Sequence, residues 1–365
     1  MTGSSRDSGV CLSSFFSQRK VSHNFRHDCD NFAKAKFPKD DIRPVPTQGY
    51  CSYTMFIGDD KVAQFRPPDH GLDIAVTSTA HRIFGDIVPE TEILGVVHDE
   101  NDGTELHAYS MTRLHGTSLV DARHSDNPRP RNTKEARRRI VKDFARLQAT
   151  SWNNRKPSEQ VSQKGLVGSS LVWRTKLLGS NLPERFKKFA SSNLRNLDEI
   201  EQLPWTLTHG DFIPSNILVS AKNGSITGLL DWAEAEWLPF GVGLYGLEEL
   251  LGAEVNGTFE YFSEARRLRH LFWSELISLV PELRRDPRLL AAVQEAQVLG
   301  ILLWHGIAFD DGRLDRVVEE GVDDGEIQRL DAMLLGRSGL RSTSTWRERL
   351  FSIRDFVAYH SLGSE

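Results

Sequence analysis

The sequence predicts an α+β protein of two lobes, a small β-rich lobe followed by a larger and mainly helical one. In the first part, the β-prone runs Tyr53 to Ile57 and Lys61 to Arg66 flank Gly58-Asp59-Asp60, which is a hairpin signal. In the second part, residues 134–151 and 286–308 carry apolar side chains at helical spacing. No internal repeat or long low-complexity linker separates the two parts, so we expect them to form one functional unit.

The expected order of segments follows from these patterns. Residues 1–43 are predicted to be a partly helical N-terminal extension, residues 44–116 the small lobe with its hinge, and residues 117–360 the helical lobe. We expect further elements at these places: a helix over Leu72 to Phe84, a strand over Leu106 to Met111, an exposed loop over Asp121 to Asn132, and apolar helical stretches over residues 258–283, Glu326 to Leu335 and Trp346 to Tyr359.

Composition argues against several classes of function. The chain has 365 residues, 39% of them apolar and 26% charged, and its formal net charge of -5 gives no reason to expect nucleic-acid or membrane binding. The Arg137-Arg138-Arg139 run is expected to be a solvated helix face. No apolar leader opens the chain, and Val298 to Trp304 is too short to span a bilayer. Cys11, Cys29 and Cys51 show no zinc-type pairing and fit a reducing, cytoplasmic location.

The most informative segment runs from Thr208 to Asn216 and is followed by Leu229-Leu230-Asp231-Trp232. Trp205 to Thr208 is predicted to be a short strand that enters a turn at His209-Gly210, where glycine permits backbone conformations that other residues resist. Pro214 should keep the residues after this turn in an irregular loop.

A β-hairpin is predicted directly after this loop. Its strands are Ile217 to Val219 and Ile226 to Leu230, and its turn is Ala221 to Ser225, which contains the strong turn signal Asn-Gly. The hairpin would bring Asp231 back beside Asn216.

An Asp, an Asn five residues later and a second Asp after a hairpin are the side chains that a phosphoryl-transfer site requires. Such a site needs a group that orients and deprotonates the attacking hydroxyl, and hard oxygen ligands that hold Mg²⁺ against the phosphates. Asp211 is the candidate base, and Asn216 and Asp231 are the candidate metal ligands. Protein kinases use the same order, although this chain has His-Gly-Asp in place of His-Arg-Asp and Asp-Trp-Ala in place of Asp-Phe-Gly. The alternative, a hairpin with acids scattered by chance, leaves the joint spacing unexplained.

The motif from His209-Gly210-Asp211 to Asn216, with Asp231-Trp232 after it, resembles the aminoglycoside phosphotransferase and choline kinase-like family. The continuation as far as Gly241 is similar to the branch of that family that is abundant in fungi. The resemblance implies a bilobal protein-kinase-like fold, ATP and Mg²⁺ as cofactors, and a small-molecule acceptor. It places His209 in the catalytic loop with Asp211, where such a His braces the loop more often than it does chemistry.

The small lobe carries the candidate nucleotide-binding residues. The segment from Thr47 to Ser52 precedes the first hairpin and is expected to arch over the phosphates of ATP, with Gln48 and Gly49 offering backbone N–H groups and Ser52 also its hydroxyl. Arg66 ends the second strand, where kinases have a phosphate-binding Lys and where many members of the resembled family carry Arg before two prolines. The alternative is a surface Arg at the end of a strand.

The helix after Arg66 should supply an acid that pairs with this cation, yet the predicted helix contains no Glu. Asp73 is the only acid in its first turns. Either Asp73 pairs with Arg66 or Arg66 acts without a partner from the helix.

The segment from Met111 to Gly116 is expected to connect the two lobes. In the resembled family the backbone here hydrogen-bonds the edge of adenine, which would place Thr112 and Leu114 beside the base. Any side chain can present a backbone amide, so an ordinary interlobe linker is compatible with the same residues.

Candidate acceptor-binding residues lie in the large lobe. Glu234 and Glu236 closely follow the second Asp of the motif, and Glu248-Glu249 come soon after them. Carboxylates beside such a site would favour a cationic acceptor. The alternative for Glu234 and Glu236 is an exposed strand, and the alternative for Glu248-Glu249 is a helix that faces water. Trp304 begins a polar cluster that could cover the acceptor pocket, and a helix end with a hydrogen-bonded His305 is the alternative.

These residues together predict an ATP- and Mg²⁺-dependent phosphotransferase that uses a hydroxyl group of a small molecule as acceptor. Two other functions fit the same residues. One is a catalytically idle scaffold that binds a nucleotide or a metabolite, which the missing helix acid favours and the complete set of Asp211, Asn216 and Asp231 opposes. The other is adenylyl transfer, which the order of the loop residues does not favour.

Overall fold

The computed structural model of the protein describes residues 15–16, 23–46, 48–99, 103–124, 133–310 and 313–340. Four features of the sequence lie outside the described residues, namely Cys11, Thr47, residues 125–132 of the predicted loop, and the predicted helix at Trp346 to Tyr359. Within the described ranges the chain forms a small sheet-based lobe followed by a larger helical lobe, which confirms the predicted α+β fold class.

The small lobe is built on one antiparallel sheet of five strands. They are β1 (Ile42–Pro44), β2 (Tyr53–Ile57), β3 (Lys61–Arg66), β4 (Thr91–His98) and β5 (Glu105–Thr112), and their order in the sheet is β1-β2-β3-β5-β4. The predicted hairpin and the predicted last strand are confirmed as β2-β3 and β5. The sequence analysis missed β1, which is short, and β4, whose pairing with β5 shifts at a bulge next to Gly95.

Two helices pack on this lobe. Helix α1 (His23–Lys36) places Phe25, Cys29 and Ala33 in the same hydrophobic cluster as the buried side chains of β2 and β3. Helix α2 (Ile74–Phe84) lies where a helix is predicted. Cys29 and Cys51 are free thiols.

The large lobe is mainly helical. Its helices are α3 (Leu119–His124), α4 (Lys134–Asn153), α5 (Gly165–Gly168), α6 (Leu171–Asn181), α7 (Glu184–Arg195), α8 (Leu197–Glu201), α9 (Tyr245–Leu250), α10 (Ala265–Leu279), α11 (Pro281–Arg285), α12 (Pro287–Gly306) and α13 (Asp324–Leu330). A π-helical turn over Asp331–Leu335 continues α13. Of the predicted Arg run on α4, Arg137 is largely buried and pairs with Glu264 at 2.6 Å, so only part of that face is solvated.

Short strands complete the large lobe. They are β6 (Thr117–Ser118), β7 (Trp205–Thr208), β8 (Ile217–Val219), β9 (Ile226–Leu229), β10 (Glu236–Pro239), β11 (Gly252–Val255) and β12 (Thr258–Tyr261). Strand β8 pairs with β6 and β9, β7 with β10, and β11 with β12. The predicted strand β7 and hairpin β8-β9 are confirmed.

The stretch over residues 258–283 begins with strand β12 and is not helical throughout, which corrects the expectation. Asn256 and Gly257, with φ of 53° and 77°, turn the chain back so that β12 pairs with β11. Helix α10 starts only at Ala265.

Helix α12 is the central helix of the large lobe. By length and composition alone it could cross a membrane, but 67% of its most apolar stretch is buried inside the protein. Val293, Val298, Ile301 and Leu302 are each 0% exposed in the main hydrophobic cluster. Its apolar character is therefore accounted for by its place in the core.

Candidate active site

His209 and Gly210 fix the backbone conformation at the start of the loop between β7 and β8. Gly210 has a φ of 80°, and a Cβ at this position would collide with the carbonyl group of Glu234, so only glycine fits. The His209 ring bridges two backbone groups: Nε2 lies 2.8 Å from the Leu230 carbonyl, and Nδ1 lies 3.2 Å from the Asp211 N–H. Since the carbonyl can only accept and the N–H can only donate, the ring proton must be on Nε2.

His209 is held as a neutral ring. It is 6% exposed, and its ring centroid lies 4.6 Å from that of Trp232. Burial lowers the pKa of His209 to about 4, although the negative charge of Asp231 acts to raise it. Both ring nitrogens are used inside the loop, so the geometry favours the bracing interpretation of His209 over a direct role in chemistry.

The neutral His209 should make the stability of the protein depend on pH. Its pKa is about 4 in the folded protein and about 6.5 in the unfolded chain. Between these values the unfolded chain binds more protons, so the free energy of unfolding should fall as the pH drops. The loss due to this residue should approach about 3 kcal/mol near pH 4.

Urea unfolding of the wild type and of His209→Gln, measured across this pH range, tests the expectation. The difference between the two free energies of unfolding should change with pH, because Gln does not titrate. Parallel pH profiles would contradict a buried neutral ring. His98→Gln, at a side chain that is 66% exposed, is the matched control.

The loop between β7 and β8 brings Asp211 and Asn216 into direct contact. Asn216 Nδ2 donates to Asp211 Oδ2 at 2.7 Å and to the Asp211 carbonyl at 3.0 Å. Pro214–Asn216 forms one turn of 3-10 helix, which is more regular than the loop predicted from Pro214. Both side chains are partly exposed.

The hairpin β8-β9 returns Asp231 to the same place. Leu229 pairs with Ile217, and the Leu230 N–H donates to the Asn216 carbonyl at 2.8 Å. Asp231 follows with a φ of 58°, in the left-handed region that Asp adopts more readily than most residues. The structure therefore brings Asp211, Asn216 and Asp231 together in one cleft.

Arg66 of the small lobe meets Asp231 across this cleft. Arg66 Nη2 donates to Asp231 Oδ1 at 2.8 Å, Nε donates to Gln64 at 3.0 Å, and Nη1 donates to the His70 carbonyl at 3.3 Å. Arg66 is 1% exposed, whereas the Asp231 side chain is 39% exposed. Burial works to raise the pKa of Asp231, but the charge and hydrogen bond of Arg66 outweigh it and lower the pKa.

The acid that pairs with Arg66 does not come from helix α2. Asp73 caps that helix by accepting hydrogen bonds from the N–H groups of Ala75 at 2.8 Å and Val76 at 3.2 Å. The alternative in which Asp73 pairs with Arg66 is therefore wrong, and so is the alternative of a surface Arg.

In the loop before β2, the side chains of two predicted nucleotide-binding residues stabilise the loop itself. Gln48 donates to the carbonyls of Val45 and Thr54 and accepts from the Thr54 N–H at 2.7 Å. The Ser52 hydroxyl is 3.1 Å from that of Thr54, and Ser52 is 3% exposed. These contacts correct the expectation that the Ser52 hydroxyl faces the nucleotide. The backbone between Gly49 and Ser52, which form a β-bridge, is the part of the loop available for that role.

The hinge packs on the hairpin that carries Asp231. The Thr112 N–H donates to the Glu90 carbonyl at 3.0 Å, so this group is not available to a base. Within the described part of the chain, no residue accepts a hydrogen bond from the Leu114 N–H. The next residue, His115, accepts at its carbonyl from the Thr227 hydroxyl at 2.9 Å. Leu114 is therefore the better placed of the two predicted hinge contacts.

Glu236 is a structural residue, which corrects its assignment to the acceptor. Its carboxylate accepts from the N–H groups of Val167 at 3.0 Å and Gly168 at 2.7 Å, and the residue is 9% exposed. Burial raises its pKa to about 7, despite these two hydrogen bonds. Glu234, two residues earlier, is exposed, and its backbone carbonyl packs against Gly210.

Glu248 and Glu249 are buried ion-pair partners, so the alternative in which they face water on a helix is wrong. Glu248 lies 2.6 Å from the Arg269 guanidinium. Glu249 lies 3.1 Å from Arg329 and 3.2 Å from His305. His305 thus has acidic partners at the end of α12, as its structural alternative predicts.

Trp304 is connected to the loop between β7 and β8 through Tyr245. The two rings stack with centroids 4.7 Å apart and an interplanar angle of 10°. The Tyr245 hydroxyl accepts from the N–H of Phe212, the residue after Asp211, at 2.8 Å. Sequence analysis missed Tyr245, because nothing local relates it to a loop 33 residues earlier.

The side-chain oxygens of Asp231 and Asn216 are suitable ligands for Mg²⁺ that binds together with a nucleotide. Among the residues that the structure describes, no three His, Cys, Asp or Glu side chains form a self-sufficient metal site. Mg²⁺ is usually held by one or two carboxylates together with phosphates and water. Asp231 offers an exposed carboxylate, and Asn216 engages Asp211 through its amide nitrogen, which leaves its amide oxygen for such a role.

Comparison with protein families finds a match for the part of the chain that contains this loop and hairpin. A family model described as "APH: Phosphotransferase enzyme family" matches residues 81–245, which include Asp211, Asn216 and Asp231. This part of the chain is similar to that family. The likeness to a fungal branch of the family stays a prediction. Comparison with curated proteins finds no match.

Solved structures similar to this protein include aminoglycoside phosphotransferases. The GDP complex of wild-type aminoglycoside 2'-phosphotransferase-IIIa is 14% identical, covers 76% of this chain and 89% of its own, and has a TM-score of 0.49. A thermostable mutant of aminoglycoside phosphotransferase APH(4)-Ia, in complex with ADP and hygromycin B, is 17% identical over 81% of this chain and 97% of its own, with a TM-score of 0.45.

Proposed function

We propose that this protein is an ATP- and Mg²⁺-dependent phosphotransferase that moves the γ-phosphate to a hydroxyl group of a small molecule. The observation that carries the proposal is the 2.7 Å contact between Asn216 and Asp211, beside which the hairpin places Asp231. A base and two hard oxygen donors in one cleft are what phosphoryl transfer needs.

In this proposal Asp211 orients the acceptor hydroxyl and takes its proton. The acceptor oxygen then bonds to the γ-phosphorus while the bond from that phosphorus to the bridging oxygen breaks, and ADP leaves with the electron pair. The amide of Asn216 holds the Asp211 carboxylate in place through its hydrogen bond. Such catalysis depends on positioning and electrostatics more than on covalent chemistry.

The remaining roles belong to nucleotide binding. Asn216 and Asp231 would hold Mg²⁺, which when bound neutralises charge on the phosphates. Arg66 would contact phosphate oxygens, the backbone of Gly49 would lie over the phosphates, and the Leu114 N–H would face the base. For this to happen, the Arg66–Asp231 ion pair must open or share its partners with the nucleotide.

That ion pair also favours a second candidate function. Because Arg66 and Asp231 neutralise each other in the described structure, the protein could bind a nucleotide or metabolite without metal and act as an idle scaffold. The two candidates differ in whether Mg²⁺ matters and in whether a product forms.

Thermal unfolding with ATP in Mg²⁺ or EDTA, followed by ³¹P NMR of products over a panel of alcohols and amines, separates these candidates. The phosphotransferase should be stabilised by ATP only with Mg²⁺ and should form a phosphomonoester and ADP. A scaffold would show stabilisation without product, and adenylyl transfer would release pyrophosphate. No effect of ATP under either condition would refute the proposed function.

A further inference from the structure

The backbone of Asp211 is held on both sides of its Cα atom. On one side, the Asp211 N–H donates to His209 Nδ1 at 3.2 Å. On the other side, the Asp211 carbonyl accepts from Asn216 Nδ2 at 3.0 Å. The Phe212 N–H belongs to the same peptide unit as this carbonyl, and it donates to the Tyr245 hydroxyl at 2.8 Å. Because a peptide unit is planar, partners at both of its ends fix the orientation of its plane and so the direction of the Asp211 side chain.

Tyr245 is the member of this set that lies outside the loop between β7 and β8. It belongs to α9 and is 33 residues away from Phe212 along the chain. The hydrogen bond is buried, and Tyr245 itself is 3% exposed. A buried N–H group that loses its acceptor is costly, so removal of this hydroxyl should make the loop backbone shift toward another partner.

Packing fixes the place of the Tyr245 ring. The ring stacks on that of Trp304 in α12, with centroids 4.7 Å apart and an interplanar angle of 10°. Gly246, the next residue of α9, lies so close to Phe212 that a Cβ atom there would be 2.5 Å from a carbon of the phenyl ring. The start of α9 is thus in close contact with both α12 and the residue that follows Asp211.

Ion pairs fix the other end of α9. Glu249 lies 3.1 Å from Arg329 of α13 and 3.2 Å from His305 of α12, and Glu248 lies 2.6 Å from Arg269 of α10. A helix of six residues has little stability of its own, so these contacts with three other helices hold it in place. Helix α9 is therefore a fixed support for the hydroxyl that binds the loop.

We propose that Tyr245 is a positioning residue for Asp211. Its hydroxyl accepts the Phe212 N–H and thereby sets the orientation of the carboxylate that receives the proton of the acceptor. Misplacement of a reacting group by about 1 Å can reduce a rate by about 10²-fold. This inference rests on the proposed function, because it requires Asp211 to act as the base.

Tyr109 offers a matched control for a merely structural role. Its hydroxyl accepts from the Leu72 N–H at 3.0 Å, and Tyr109 is also 3% exposed. It lies in β5 of the small lobe. Tyr245→Phe and Tyr109→Phe therefore remove the same group from the same kind of buried contact, and only the first of these contacts is next to the candidate base.

The first measurement is amide hydrogen exchange of the full-length proteins, followed by mass spectrometry of peptides. In Tyr245→Phe, the segment that contains Phe212 should exchange about tenfold faster or more than in wild type, because the N–H has lost its acceptor. In Tyr109→Phe, faster exchange is expected at Leu72 and not at Phe212. This measurement does not depend on enzymatic activity.

The second measurement is phosphate transfer to the fastest acceptor of the alcohol panel, at saturating ATP–Mg²⁺ and at a temperature at which all three proteins are folded. Tyr245→Phe should lower kcat by about tenfold to 10²-fold. The KM of the alcohol and the Kd of ATP–Mg²⁺ should stay within about twofold of the wild-type values, because the hydroxyl acts through Asp211 alone. Tyr109→Phe should keep kcat within about twofold of wild type.

The outcomes separate this inference from the function on which it rests. An unchanged kcat in Tyr245→Phe, an equal loss of kcat in Tyr109→Phe, or unchanged exchange at Phe212 would overturn the inference and leave the function standing. A Tyr245→Phe protein that does not fold would make the role structural and overturn the inference as well. If the wild type forms no ADP with any alcohol of the panel, the proposed function fails and this inference fails with it.

Discussion

Asp211→Asn should reduce phosphate transfer to an acceptor by about 10²- to 10⁴-fold, the range that loss of a positioned base produces. The amide cannot take the proton of the acceptor hydroxyl. Its oxygen can still accept the hydrogen bond that Asn216 now donates to Asp211, so the loop should keep its structure. ADP formation with the best acceptor of the alcohol panel, measured at saturating ATP, gives the rate.

Two controls define this result. Asp59→Asn makes the same change at an exposed residue in the β2-β3 turn and should leave the rate unchanged. The Kd of ATP–Mg²⁺ for Asp211→Asn should also stay near the wild-type value, because Asp211 is proposed to act on the acceptor. A variant that transfers phosphate at a near-normal rate would remove Asp211 from the role of base.

Asp231→Asn should weaken ATP–Mg²⁺ binding by about tenfold or more, since a neutral amide replaces the only exposed carboxylate proposed to hold the metal. Asn also tolerates the φ of 58° found here and can accept the hydrogen bond from Arg66, so folding should be little affected. Calorimetric titration with ATP in Mg²⁺ and in EDTA measures the effect. The difference between the two conditions should be large for wild type and small for the variant.

Asp211→Asn is the matched control for this experiment, because it removes the same charge from the same cleft. The two variants should show opposite patterns, with turnover lost in one and metal-dependent affinity lost in the other. Equal ATP–Mg²⁺ affinity in wild type and Asp231→Asn would contradict the metal-ligand role of Asp231.

Asp231→Ala should differ from Asp231→Asn in stability. Ala leaves one N–H group of the buried Arg66 guanidinium without its acceptor, which costs about 1–3 kcal/mol. The comparison of the two variants thus separates the charge of Asp231 from its structural contact with Arg66.

The partner of Arg66 shows where local reasoning ends. The sequence analysis looked for an acid on the helix after Arg66 and found only Asp73. In the structure, Asp73 caps helix α2, and Arg66 pairs with Asp231, which is 165 residues away along the chain. Both acids are visible in the sequence, but only the packing of one lobe on the other brings the second of them to Arg66.

The sequence by itself determined the fold class and the course of the loop from His209 to Asn216 with the hairpin that follows it. The loop and the hairpin are local features. Gly210 must adopt a positive φ, and the Asn-Gly turn sets the register that returns Asp231 to Asn216. Their geometry depends on residues close together in the chain, so residue type and spacing are sufficient to predict it.

Only the tertiary structure decided which carboxylates are exposed and which rings contact each other. Glu236, Glu248 and Glu249 look alike in the sequence to the exposed Glu234, and Trp304 carries no mark of its contact with Tyr245. Burial and pairing of a side chain depend on which distant segments pack against it. For that reason the sequence could not show that Glu236, Glu248 and Glu249 are engaged in hydrogen bonds and ion pairs within the folded protein.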